Sequence, residues 1–107
     1  MLKPVTDHEF DRVVSAAPVP VLVEFWQEGC GACRALRTQL EQLQAETSGR
    51  LIILTMNVQE NFQIPAELEI SSLPTLALYQ NGEFERFVGG IGRKDEILKQ
   101  LGLQRRG

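Results

Sequence analysis

The segment Val21–Trp26 is apolar on both alternating faces of an extended chain, with Glu24 as its one charged residue. A strand of this kind must be covered on both sides, which is typical of a parallel sheet flanked by helices. Residues 51–58 have the same character and are predicted as a second buried strand. Because a helical pattern separates the two segments, they predict a strand–helix–strand unit with parallel pairing and a right-handed crossover.

The remaining elements follow from capping, periodicity and turn signals. Thr6 and Glu9 form a capping-box pattern that predicts a first helix with Thr6 as its N-cap. Asn81-Gly82 lies between two apolar runs and is a strong hairpin signal. The sequence therefore predicts a helix after residue 6, a strand at 21–26, a helix after residue 33, a strand at 51–58, a short helix at 65–68, hairpin strands at 76–79 and 84–88, and a helix at 95–101.

This order predicts an α/β fold with a mixed central sheet and helices on both faces. The chain has the length of one domain, and we expect residues 1–107 to form it. Its net charge of −3 argues against nucleic acids and anionic membranes as partners. No run approaches the roughly 18 apolar residues of a membrane span, and the first residues lack the apolar segment of a signal peptide. We therefore expect a cytoplasmic, reducing environment.

Cys30 and Cys33 lie between the first buried strand and the helix that follows it. A helix N-terminus presents unpaired N–H groups and favours negative charge, so Cys30 is shifted toward its nucleophilic thiolate form. Cys33 follows one turn later and is expected to be more buried. This arrangement suits one attacking and one resolving sulfur, with a mixed disulfide between the two steps.

Three other interpretations of the cysteine pair stay open. A zinc site needs about four ligands, whereas the chain offers two cysteines and the distant His8, which we expect to be solvated. A structural disulfide across so short a loop removes little entropy from the unfolded chain. The third interpretation is chance proximity. A redox-active dithiol is the interpretation that the placement favours, and it needs no metal, flavin or nucleotide.

At this point the sequence resembles the thioredoxin family over nearly its whole length. A lone Cys-x-x-Cys motif would be weak evidence, but further landmarks occur in the same order and at matching spacing. The landmarks are the strand Val21–Trp26, the motif Cys30-Gly31-Ala32-Cys33, the segment Leu73-Pro74-Thr75-Leu76, the turn Gln80-Asn81-Gly82-Glu83 and the loop Val88-Gly89-Gly90.

The resemblance implies a thioredoxin fold with four to five strands and four helices. It implies that Cys30 is the nucleophile, that Cys33 is the resolving thiol, and that Pro74 is cis and lies opposite the sulfurs. From the residues alone, an ordinary trans proline would be favoured at Pro74. A cis bond would turn the backbone of Leu73 toward an extended client peptide, which could pair with it as an added strand.

The substrate surface is predicted around the cysteines. Gly29, Gly31 and Ala32 surround Cys30 in sequence, and Leu73 and Pro74 are implied by the resemblance. We also expect an apolar rim from Leu73, Gly89, Gly90 and Ile91, although these residues would equally suit a core position and a turn. Trp26 is predicted to pack beside the site and support it.

Glu24 interrupts an apolar strand, and a buried carboxylate without a partner is costly. Desolvation would raise the pKa of Glu24 and make it a usable proton acceptor near neutrality. The family has Asp at this position, proposed to take a proton from the resolving cysteine. The alternative is an edge or solvent-facing glutamate.

Four further departures from the family pattern lie at or near the site. Gly29 replaces a usual Trp, and Thr38 replaces a proline that kinks the active-site helix. Ala32 replaces a proline, which restores an N–H near the sulfurs and would favour a more oxidising dithiol. Thr55 replaces a usual Lys, so we expect Glu24 to lack a nearby cation and to be harder to ionise.

The favoured function is a protein-disulfide reductase that acts as a monomer on disulfide-containing client proteins. The resemblance implies a thioredoxin reductase as the electron donor. Two alternatives stay open: a disulfide oxidant or isomerase, favoured by Ala32, and a binding module that kept the fold for one client. Loss of Cys30 would abolish either enzymatic activity but would leave a binding module intact.

Overall fold

The computed structural model describes residues 2–89, residue 91 and residues 93–103. Within them the chain alternates strands and helices in the predicted order, preceded by one additional short strand. The elements are β1 (Lys3–Pro4), α1 (Phe10–Ala16), β2 (Val21–Trp26), α2 (Gly31–Thr47), β3 (Ile52–Asn57), α3 (Gln63–Glu67), β4 (Thr75–Gln80), β5 (Glu83–Val88) and α4 (Lys94–Leu101).

The strands form one mixed sheet in the order β1-β3-β2-β4-β5. Strand β2 lies at its centre, parallel to β3 and antiparallel to β4. Strands β4 and β5 form the hairpin predicted from Asn81-Gly82, where both turn residues adopt positive φ. The predicted mixed sheet, its parallel unit and its hairpin are therefore confirmed. Strand β1 was not predicted from the sequence because it is two residues long and is defined only by its parallel pairing with β3.

Alternate residues of β2 enter two separate apolar layers. Leu22 faces α2 and α4, and Val21, Val23 and Phe25 face the side of α1 and α3. All four side chains are at most 1% exposed, and full burial of such a side chain contributes about 1.5–3 kcal/mol. This double coverage explains why the segment is apolar on both faces.

None of the described helices combines the length and the apolar composition that a membrane-spanning helix requires. The longest is α2, which runs without interruption through Thr38. The hydroxyl of Thr38 lies 3.5 Å from the Arg34 carbonyl, one turn earlier on the same helix.

The start of α1 differs from the prediction. The carboxylate of Glu9 accepts the Thr6 N–H at 3.3 Å, as a capping box requires, but residues 7–9 form turns and α1 begins at Phe10. Asp7 lies between Thr6 and Glu9 in sequence, but its side chain contacts a different helix. Its two carboxylate oxygens accept the N–H groups of Gln63 and Ile64 at 2.8 and 2.9 Å. Asp7 thus caps the distant helix α3, which sequence spacing could not indicate.

We predict that Asp7→Ala lowers the free energy of unfolding by about 1–2 kcal/mol, because two N–H groups of α3 lose their acceptor. Denaturant unfolding measures the change. The matched control is Asp11→Ala, an exposed aspartate on α1, which should stay within about 0.5 kcal/mol of wild type. Equal effects of the two substitutions would contradict the capping role.

Candidate active site

The candidate active site lies where β2 ends and α2 begins. Cys30 is the N-cap residue of α2, and its sulfur accepts the backbone N–H of Cys33 at 3.1 Å. Cys30 is partly exposed, whereas Cys33 is 1% exposed and packs inside the first turn of the helix. The predicted positions of the two cysteines are therefore confirmed, with one accessible sulfur above one buried sulfur.

The two cysteines form a disulfide with their Cα atoms 5.2 Å apart, so the structure describes the oxidised protein. When this bond is reduced, the helix N-terminus and the Cys33 N–H favour the thiolate of Cys30. Among the described residues, no group of three or more His, Cys, Asp or Glu side chains is placed to hold a metal ion. The arrangement can carry out thiol–disulfide exchange, in which the attacking and leaving atoms are sulfurs.

A groove of about 470 Å³ runs beside Cys30. Leu73 shares this groove with Cys30, and the Leu73–Pro74 peptide bond is cis. The further lining residues are Gln27, Val58, Pro65, Ile70, Ser71 and Ser72. Some of these lining residues, among them Val58 and Pro65, were not predicted from the sequence, because they come from segments that reach the site only in the folded chain.

The remaining predicted surface residues divide into two groups. Gly31 and Ala32 are exposed beside Cys30. Pro74 and Ile91 line a neighbouring groove of about 310 Å³, and Ile91 is 42% exposed rather than a core residue. Gly89 donates its N–H to the side chain of Gln100 at 2.9 Å, so this donor is already used within the fold. Gly90 lies outside the described residues.

Gly29 adopts a φ of +81°, in the left-handed region that disfavours residues with a Cβ. An added Cβ would meet no atom within 4 Å, so the space for a side chain is open and only the backbone opposes one. Gly29 also lines a small pocket of about 190 Å³ with Trp26 and Cys33. The usual Trp at this position could therefore not be restored without strain in the backbone.

Glu24 is fully buried on the face of β2 that packs against α2, the helix of Cys33. One carboxylate oxygen, Oε1, accepts the Arg37 Nε–H at 3.2 Å. The other oxygen, Oε2, is buried without a hydrogen-bond partner among the described residues. The alternative of an edge or solvent-facing glutamate is thereby excluded.

Burial raises the pKa of the Glu24 carboxyl above its usual range, and the charge and the hydrogen bond of Arg37 oppose this rise. This direction agrees with the upward shift predicted from the sequence. The expectation that Glu24 lacks a nearby cation is wrong, because Arg37 provides one from α2. On β3 the register partner of Glu24 is Thr55, the residue that the family resemblance places near the buried acid.

Arg37 is a further residue at this site that sequence reasoning missed. It follows Cys33 by four positions, which places both on one face of α2. Its guanidinium carbon also lies 4.5 Å from the centre of the Trp26 ring, a cation–π contact. Trp26 is partly buried and packs beside the site as predicted. The helical spacing to Cys33 was a signal in the sequence, but the identity of its partner on β2 was not.

Comparison with known proteins agrees with this geometry. The family model described as Thioredoxin matches residues 1–102 of the chain. The chain belongs to the thioredoxin family. It is a protein-disulfide oxidoreductase, as this family and the Cys30–Cys33 pair together show.

Individual thioredoxins match almost end to end. The thioredoxin of Rickettsia felis is 39% identical over 98 residues, which cover 92% of this chain and 93% of the relative. The thioredoxin of Streptomyces clavuligerus is 37% identical over 99 residues, covering 92% of both chains. That of Rickettsia bellii is 35% identical over 101 residues, covering 94% and 96%.

We predict that Glu24→Gln gains stability relative to wild type as the pH rises above the ordinary carboxyl pKa of 4.5. Because the folded-state pKa is raised, native Glu24 holds a proton that the unfolded chain has lost, and wild-type stability falls through this window. The loss is about 1.4 kcal/mol for each pH unit between the two pKa values. Gln does not titrate, so the substitution removes this pH dependence.

The measurement is the free energy of unfolding of both oxidised proteins in denaturant, repeated across the pH range. The difference between them isolates Glu24, since every other carboxylate is common to both. A difference that is independent of pH, or that favours wild type more strongly at higher pH, contradicts the raised pKa.

Proposed function

We propose that this chain, through the motif Cys30-Gly31-Ala32-Cys33, works as a cytoplasmic disulfide reductase with Cys30 as nucleophile and Cys33 as resolving thiol. The observation that supports these roles is the difference in access. Cys30 is partly exposed at the helix N-terminus, and Cys33 is buried beneath it. A client disulfide can reach only the first sulfur, and only the second can attack from inside.

The reaction has two exchange steps. The Cys30 thiolate attacks one sulfur of the client disulfide, so a Cys30–client disulfide forms and the first client thiolate leaves. Cys33 then loses its proton and attacks Cys30, which breaks the mixed disulfide and releases the second client thiolate. The client gains two electrons and two protons, and the protein leaves as the Cys30–Cys33 disulfide.

Glu24 is proposed as the acceptor of the Cys33 proton. It lies on the strand face packed against α2, and its free oxygen Oε2 has room for one proton. A carboxyl whose pKa is raised by burial can take up a proton and later release it near neutral pH.

The client is proposed to lie extended along the groove shared by Cys30 and Leu73. The backbone of Leu73 can pair with such a segment as an added strand. Gly29, Gly31 and Ala32 contribute an exposed backbone on the side of the cysteines, and Pro74, Gly89, Gly90 and Ile91 are proposed to continue this client surface on the other side.

Further parts of the proposal follow from family membership. The electron donor is proposed to be a thioredoxin reductase, and the clients are proteins with accessible disulfides. The redox-active disulfide serves in place of a bound cofactor or metal. Residues 1–107 are proposed to act as one domain and as a monomer, without nucleic acid or membrane.

We predict that Cys33→Ser traps the mixed disulfide, because Cys30 still attacks but nothing resolves the intermediate. Cys30→Ser should abolish both trapping and turnover, since the remaining sulfur is buried. The measurement combines non-reducing electrophoresis and mass spectrometry with a small disulfide-bonded protein, such as insulin, as the client. Turnover that survives Cys30→Ser would overturn the assignment of the nucleophile, and client binding without turnover would favour a binding module.

A further inference from the structure

Arg37 extends from α2, the helix that begins at the cysteines, to the carboxylate of Glu24. We propose that Arg37 is a positioning residue for the exchange reaction, which fixes Glu24 through Oε1, keeps Oε2 free for the Cys33 proton and favours the carboxylate form. This inference rests on the role proposed above for Glu24 and adds a residue that acts through it.

Two contacts fix the guanidinium of Arg37. Its Nε–H donates to Glu24 Oε1 at 3.2 Å, and its guanidinium carbon lies over the Trp26 ring, 4.5 Å from the ring centre. A guanidinium can stack on an aromatic ring and donate from its edge at the same time, whereas the ammonium of lysine has no plane to stack. The side chain is 30% exposed, so part of it reaches solvent while its donor points into the fold.

The geometry of the ion pair leaves one oxygen unused. A fork-like contact would engage both carboxylate oxygens, but only Nε and Oε1 meet here. Oε2 is buried without a partner among the described residues. Arg37 therefore orients the carboxyl group and leaves free the atom that can accept a proton.

Arg37 also borders the buried cysteine. Both residues line the small pocket of about 190 Å³ beside Trp26 and Gly29. They lie one helical turn apart on α2. The Arg37–Glu24 ion pair therefore links Glu24 to the part of the helix that follows Cys33.

Among the described residues, the other elements packed against Glu24 bring no charge to it. Its register partners are Thr55 on β3 and Leu76 on β4. Helix α4 adds Ile97 and Leu98 to this face of the sheet. The charged group that faces Glu24 in this part of the structure is Arg37, on α2.

A fixed positive charge beside Glu24 lowers the pKa of its carboxyl group, so that the carboxylate form persists to lower pH. Without Arg37, Glu24 should stay protonated up to higher pH and be unable to take the Cys33 proton there. The acidic limb of the pH profile for the resolving step should therefore move to higher pH.

The test compares Arg37→Met with Arg34→Met, a matched control on the same helix that lines the same pocket and is exposed. Single-turnover stopped flow with a disulfide peptide follows release of the peptide from Cys30 across the pH range. We expect the acidic limb to move to higher pH in Arg37→Met, Arg37→Lys to recover part of this displacement, and Arg34→Met to leave the limb in place.

The same substitutions, made in a protein that already carries Glu24→Gln, distinguish this inference from the proposed role of Glu24. If Arg37 acts through Glu24, Arg37→Met should not displace the acidic limb of the pH profile in a protein that already carries Glu24→Gln. A displacement that persists in Glu24→Gln, or none in either background, overturns the inference. If Glu24→Gln itself leaves the resolving step unchanged, it is the proposed role of Glu24 that fails.

If Arg37→Met does not fold, Arg37→Lys is used in its place, and the protonation of Glu24 is measured directly. The carboxyl group of Glu24 is titrated by carbon-13 NMR in the folded oxidised protein. A titration midpoint at higher pH than in wild type supports the inference, because lysine keeps the charge but lacks the guanidinium that lies over the Trp26 ring. An unchanged midpoint contradicts it.

Discussion

The double coverage of strand β2 is the constraint on which the rest of the structure depends. The strand pairs with β3 on one side and β4 on the other, and both of its faces are buried. Because β3 runs parallel to β2, the chain must return along the sheet, and α2 provides that crossover. Cys30 stands where the crossover begins, so the N-terminus of a long helix points at its sulfur. The reactive end of the site is therefore a consequence of topology.

The same strand also carries the main conflict between stability and function. An apolar residue at position 24 would pack on α2 without the desolvation that Glu24 undergoes. The fold holds the carboxylate with one hydrogen bond from Arg37, and Arg37 is in turn held by Trp26. A buried acid with a raised pKa suits proton transfer and is unfavourable for folding at neutral pH. Packing alone does not explain such a group, which is consistent with the role in proton transfer proposed for Glu24.

The sequence predicted those parts of the fold that depend on local pattern. Apolar segments on both faces indicated β2 and β3, and Asn81-Gly82 indicated the hairpin. The cis bond before Pro74 could be expected only from the family resemblance, because the local sequence favours a trans bond. The start of α1 was misplaced because residues 7–9 form turns, and the side chain of Asp7 caps α3, with Ile64 57 residues away in sequence.

Within the site, the cysteines and Glu24 could be predicted, but their surroundings could not. Arg37 reaches Glu24 across 13 positions of sequence, and its contact depends on how α2 packs on the sheet. The same holds for Val58 and Pro65, which join the groove only through folding. Gly89 was expected at the rim from its position in a loop, yet its N–H is bonded to α4. Residues that carry the chemistry are visible in a sequence, whereas those that position them belong to tertiary structure.

The Cys30–Cys33 dithiol at the N-terminus of α2 is proposed to be a reducing couple. Its equilibrium reduction potential tests this most directly, measured in dithiothreitol and glutathione buffers by alkylation of free thiols and mass spectrometry. We expect a reduction potential of about −270 mV, the level of thioredoxins that reduce client proteins. A value near about −180 mV, the level of disulfide isomerases, would contradict the account and would mean that Ala32 and Gly29 have turned the site toward oxidation.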